Sequence, residues 1–179
     1  MLKIAKTLFF AVLLATAFGT VKAGNGETDS CKVSRTDQLL NDPNPCVQMY
    51  GLLFKYSQKY NVPVGIIYGV AHKESGYQGP LHDAYNPKRT GHLSYGAMQL
   101  KVGTANWVWG TKNVTKKKLL NDLDFNVETS VKLLSMLKQT HGTWGKALGA
   151  YNTGRPIVNK YSREILNGQS KFNLYGGLL

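Results

Sequence analysis

Glu74 is the residue whose type and setting most directly promise chemistry in this sequence. It lies in the stretch from Pro63 to Gly76, which reads as a helix. Pro63 sits in the first turn, where a missing N–H costs nothing, Asn61 offers an N-cap and Gly76 a stop. Ile67, Ala71 and Glu74 fall at i, i+4 and i+7, so the carboxylate shares the apolar face. Poor solvation there, and the negative end of the helix dipole, both favour the protonated form that a general acid needs near neutral pH. The competing reading is a solvated Glu in a frayed last turn. Two more islands carry polar groups suited to a cleft: Ser94, Tyr95, Gly96, Ala97, Met98, Gln99 and Leu100, then Ala150, Tyr151, Asn152, Thr153 and Gly154. Gln99 can donate and accept, Met98 offers a soft apolar wall, and a glycine at 96 admits close approach of backbone. Met98 and Tyr151 suit a core equally well, and the residues after Tyr151 suit a plain helix stop.

Helices must position these islands. Val47, Tyr50, Leu53 and Phe54 recur at three- and four-residue steps, and Ser57 interrupts them before Asn61. From Gly76 to Tyr95 the pattern dissolves into Gly, Pro, Asn and His, the signature of a long functional loop. Thr104 can cap a short helix through Ala105, Trp107 and Val108, and Gly110 to Lys118 reads as a basic connector. The clearest helix spans 126–139, with Val127, Val131, Leu134 and Leu137 on one side and Asp122, Asp124 and Glu128 favouring its dipole. Thr143 caps another helix, ended by Gly154 and Pro156, and a last one over 157–166 aligns Val158, Tyr161 and Ile165. Strands are confined to a short hairpin near His92 to Leu100. The fold class is mainly α.

Lys3 and Lys6 precede an apolar run from Leu8 to Phe18 and the small-x-small site Val21-Lys22-Ala23, so residues 1–23 read as a secretory signal peptide. The run is too short to span a bilayer, and no membrane anchor is expected after cleavage. Residues 24–45 read as a polar, extended lead-in, 46–168 as one domain, and 169–179 as a tail. The whole chain carries a formal charge of +12, which suits a polyanion such as cell wall, anionic lipid or nucleic acid. Charge does not choose among them. The two cysteines, Cys31 and Cys46, are candidates for a disulfide worth about 3 kcal/mol in an oxidising compartment. No His, Cys and acid spacing argues for a metal, no cofactor is implied, and the aromatics follow helical core spacing rather than a nucleic-acid stacking platform.

Glu74-Ser75, the Ser94 to Leu100 island with Thr104-Ala105 behind it, and Ala150 to Gly154, taken in order, resemble the catalytic domain of soluble lytic transglycosylases, relatives of goose-type lysozyme. The resemblance covers roughly residues 46–168. It departs from the common pattern at Lys101-Val102-Gly103, where many members have a proline, and at Ser130, where glycine is frequent. It implies a lysozyme-like helical domain that binds peptidoglycan strands, with Glu74 as acid and then base. Ser75, Ser94, Tyr95, Gly96, Met98, Gln99, Tyr151 and Asn152 would line the glycan groove. The implied reaction cleaves the MurNAc–GlcNAc bond to a 1,6-anhydro end without water. A hydrolytic lysozyme, with Asp83 positioning a water, and a non-catalytic wall-binding module are the rivals. Small members of the family also imply a periplasmic or extracellular site of action, or a phage origin, and a secretion or conjugation apparatus as partner.

Overall fold

The computed structural model describes residues 35–76 and 93–172. Among them run eight helices: α1 (Arg35–Leu40), α2 (Pro45–Tyr60), α3 (Val64–Ser75), α4 (Val102–Trp109), α5 (Lys116–Asn121), α6 (Leu123–His141), α7 (Trp144–Thr153) and α8 (Lys160–Phe172). The mainly α, lysozyme-like expectation holds. The expected hairpin reduces to one antiparallel bridge, in which Tyr95 and Leu100 exchange backbone hydrogen bonds of 2.8 and 3.0 Å. The signal segment, Cys31 and with it the candidate disulfide, and Asp83 lie outside the described residues.

α3 is the buried axle of the fold. Gly65 to Ala71 are all buried, because Val, Ile, Tyr and Ala leave this helix apolar all round over its first two turns. Its N-cap is Pro63 rather than Asn61; Pro63 is extended, its carbonyl accepts from the Ile66 and Ile67 amides, and Asn61 takes a positive φ of 51°. Gly76 ends the helix as expected, with φ 60° and its amide on the His72 carbonyl. α2 packs on α6, α3 on α8, and α7 on both α6 and α8.

Other boundaries moved for identifiable reasons. Residues 35–40 of the supposed extended lead-in are helical, and Leu40 packs against the main core. The buried face of α2 is Met49, Leu52, Leu53 and Tyr56, with Ser57 buried too, so the stripe is rotated from Val47, Tyr50 and Phe54. Thr104 lies inside α4, whose N-cap is Lys101. Thr115 caps α5 by accepting from the Lys118 amide, which turns the supposed basic connector into a helix start. α6 begins at Leu123 because Asp122 accepts from the Phe125 amide. α8 starts only at Lys160, since Asn159 and Ser162 bond each other's backbone amides. It then runs on to Phe172.

Two apolar clusters result. Residues of α2, α3 and α6, with Ala97, Met98, Leu148 and Ile165, form the larger. Tyr95, Leu100, Ala105, Val108, Val114, Leu119 and Leu133 form the smaller. The 95–100 turn gives Ala97 and Met98 to the larger and Tyr95 and Leu100 to the smaller, and so ties them together.

Candidate active site

Glu74 occupies the last turn of α3, where the buried axle reaches a cleft of about 690 Å³. The cleft is walled by α3, the 94–101 segment, α4, α6, the end of α7 and α8. Burial pushes the Glu74 carboxyl up from the ordinary 4.5 to about 7, while a hydrogen bond from Tyr161 pulls partly the other way. Tyr161 on α8 donates its hydroxyl to Glu74 Oε1 at 2.6 Å. Its own ionisation is pushed far up by burial and by the Glu74 charge, so it stays a donor. Beside them, burial also raises Tyr151, whose hydroxyl donates to the Met98 carbonyl at 2.8 Å. Glu74 is the only carboxylate among the described cleft residues.

The remaining described acids are committed elsewhere. Asp124 accepts from Tyr56 and faces Lys55, and Glu128 accepts from Lys59 at 2.5 Å and Tyr60 at 2.9 Å. Glu164 pairs with Lys73 at 2.8 Å, which steers the ammonium next to Glu74 in sequence onto α8. A second groove, of about 560 Å³, lies at the opposite ends of α3 and α7 and has no carboxylate among its described residues.

The sequence-derived site residues divide. Ser94, Gln99, Tyr151 and Asn152 line the cleft with Glu74. Gln99 holds a positive φ of 49°, donates Nε2 to the Gly96 carbonyl at 2.9 Å, and leaves Oε1 buried without a partner. A buried acceptor without a donor is costly, which marks Gln99 as a side chain held for something other than stability. Asn152 accepts from Asn159 at 3.2 Å. Met98, by contrast, is 0 % exposed and belongs to the main core, so it is no cleft wall. Tyr95 is likewise core, with Lys116 over its ring at 5.2 Å. Gly96 faces protein rather than sugar: a Cβ there would sit 2.3 Å from the Leu119 carbonyl and 2.4 Å from Asn126 Nδ2. Ser75 is buried, and its Oγ has no partner.

Two site residues escaped the sequence reading. Tyr161 fitted a core stripe with Ile165, and no local signal links it to a residue 87 positions away. Asn126 was read only as the start of a helix. Its Oδ1 accepts from the Met98 amide at 2.9 Å and its Nδ2 donates to the Tyr95 and Leu119 carbonyls, each at 3.0 Å. It therefore fixes the turn that presents Gln99.

Compared with known families, the sequence matches the Transglycosylase SLT domain over residues 51–172. The chain belongs to this family. Protein IpgF of Shigella flexneri is 28 % identical over 109 residues, covering 61 % of this chain and 69 % of the relative. Protein IpgF of Shigella sonnei matches with the same identity and coverage. No solved structure matches. At family level the function is that of a transglycosylase of the peptidoglycan cell wall. Glu74 and Tyr161 meet within the residues that this family match covers.

Proposed function

We propose that this chain is a peptidoglycan lytic transglycosylase, exported behind a signal peptide at residues 1–23, which cleaves the MurNAc–GlcNAc β-1,4 bond. Glu74 is its acid and then its base. The observation that carries this reading is a cleft glutamate that keeps its proton near neutral pH while Tyr161 occupies one of its oxygens. With Oε1 accepting from Tyr161, the proton of the neutral carboxyl resides on Oε2 and is free to leave.

The step balances without water. Oε2 gives its proton to the glycosidic oxygen as the bond to C1 breaks, and the bonding pair leaves with the GlcNAc 4-hydroxyl. The MurNAc 2-acetamido group supports the electron-poor C1, the substrate assistance that replaces a second carboxylate. The Glu74 carboxylate then takes the proton of the MurNAc 6-hydroxyl while that oxygen attacks C1, closing the 1,6-anhydro ring. Glu74 ends protonated, as it began. Gln99, with its unsatisfied Oε1, and Asn152 bind the glycan, while Tyr151 holds the wall of the cleft through the Met98 carbonyl. Support for a one-carboxylate mechanism over a lysozyme-like pair comes from the engagement of Asp122, Asp124, Glu128 and Glu164 in caps and ion pairs.

Glu74→Gln tests the assignment. The variant keeps the shape and the acceptor for Tyr161 but has no proton to deliver. Release of soluble muropeptides from purified peptidoglycan should fall by about 10²- to 10⁴-fold. Release at the parent rate would remove Glu74 from the mechanism.

A further inference from the structure

α4 puts two indoles two residues apart to opposite uses. Trp109 is fully engaged: its ring stacks on Phe125 at 5.9 Å and 24°, its Nε1 donates to Thr129 at 2.9 Å, and the Lys132 ammonium stands 3.8 Å over it. Trp107 is 58 % exposed, and its indole makes no hydrogen bond or ring contact with another described residue. The helix does not need an indole there, because Ala105 and Val108 already bury α4 against the smaller core. A large apolar ring left in water is an unfavourable surface that a ligand can cover. Three other large apolar side chains are exposed among the described residues, Leu93, Ile157 and Val158, and Trp107 alone of the four lines the cleft that holds Glu74. Thr104 and Lys101, one and two turns back at steps of three, line that wall with it.

We propose that Trp107 is the platform of a sugar subsite on the α4 wall, taking the apolar face of an N-acetylhexosamine ring in the glycan strand. The proposal rests on the glycan-cleaving reading above. A pyranose ring presents C–H groups on one face and hydroxyls at its rim. The exposed indole suits the face, and the Thr104 hydroxyl and the Lys101 ammonium suit the rim. A subsite on α4 engages a sugar that does not itself react, so its contribution is the same in ground and transition states. It holds the strand in the cleft while Glu74 acts from α3.

The probe is the hexamer of N-acetylglucosamine, titrated into the full chain carrying Glu74→Gln so that nothing turns over. Intrinsic fluorescence should shift to the blue and saturate as Trp107 is covered. With Trp107→Phe added, binding by calorimetry should persist while the fluorescence change is lost, since Trp109 and Trp144 are already packed. With Trp107→Ala added, Kd should rise about tenfold. In the chain with Glu74 intact, Trp107→Ala should raise KM on peptidoglycan by a similar factor and leave kcat unchanged. Circular dichroism checks that the exposed substitution leaves the fold intact. If peptidoglycan is cleaved in a Glu74-dependent way but Trp107→Ala alters neither Kd nor KM, the subsite is refuted and the functional reading stands. If the parent neither cleaves peptidoglycan nor binds the hexamer, both fall together.

Discussion

Two opposed influences set the proton affinity of Glu74. Burial raises it, and the Tyr161 hydrogen bond to Oε1 lowers it, with burial the larger. The balance near 7 suits the proposed role of Glu74, giving a proton and then taking one back. Removing the smaller influence should be visible. Tyr161→Phe leaves burial unopposed, so the Glu74 pKa rises above its present value. The alkaline limb of kcat/KM, which reports loss of the Glu74 proton, should therefore move to higher pH. The maximal rate should fall about tenfold as the carboxyl loses its aim. An alkaline limb that stays in place would mean that Tyr161 does not act on Glu74.

The helices matter through how closely they approach. α8 brings Tyr161 to Glu74, and its lead-in runs over α7 at a glycine: a Cβ on Gly149 would lie 1.9 Å from the Ile157 carbonyl oxygen. Backbone cannot yield as a side-chain end can. Gly149→Ala should push the 154–159 segment outward, cost about 1–3 kcal/mol in denaturant unfolding, and lower kcat by misplacing Tyr161. Gly103→Ala is the control, because nothing lies within 4 Å of a Cβ there and α4 gains a better helix former. Equal stability of the two variants would show that the close approach is unimportant. The sequence revealed part of this level. Helix stops at Gly76 and Gly154 and the cap at Thr143 are legible, because capping chemistry is local, whereas Asp122 reads only as a charge favouring the dipole and proves to be the cap of α6. The face of α2 was misjudged because several phases of its mixed pattern fit equally well, and only packing on α6 selects Met49 and Tyr56 over Val47 and Tyr50. The Glu74 setting was legible from three positions on one helix. Its partner Tyr161, the three bonds of Asn126 and the inward face of Gly96 were not, since each depends on contacts between distant segments.

Across the whole molecule the buried carboxyl has a thermodynamic cost. Folding raises the Glu74 pKa from 4.5 to about 7, so the folded chain holds this proton more tightly than the unfolded one. Stability from the neutral carboxyl is full below pH 4.5 and is lost as pH rises through 7. The loss amounts to about 3 kcal/mol at pH 8. Glu74→Gln has no such ionisation. It should be more stable than the parent by up to about this amount at pH 8, and the difference should vanish near pH 4. The variant would then gain stability where it loses activity, as expected of a group kept for chemistry. A stability difference that does not change with pH would show that Glu74 is not held neutral by the fold.

The central claim is that the sugar's own hydroxyl, and no water, completes the reaction begun by Glu74. Digestion of purified peptidoglycan in ¹⁸O-water, with mass analysis of the new MurNAc ends, tests it directly. The expected product is anhydro ends, lighter than the reducing form by one water and free of the label, made by the parent and absent with Glu74→Gln. Reducing ends carrying one ¹⁸O would contradict it and make the enzyme a hydrolase.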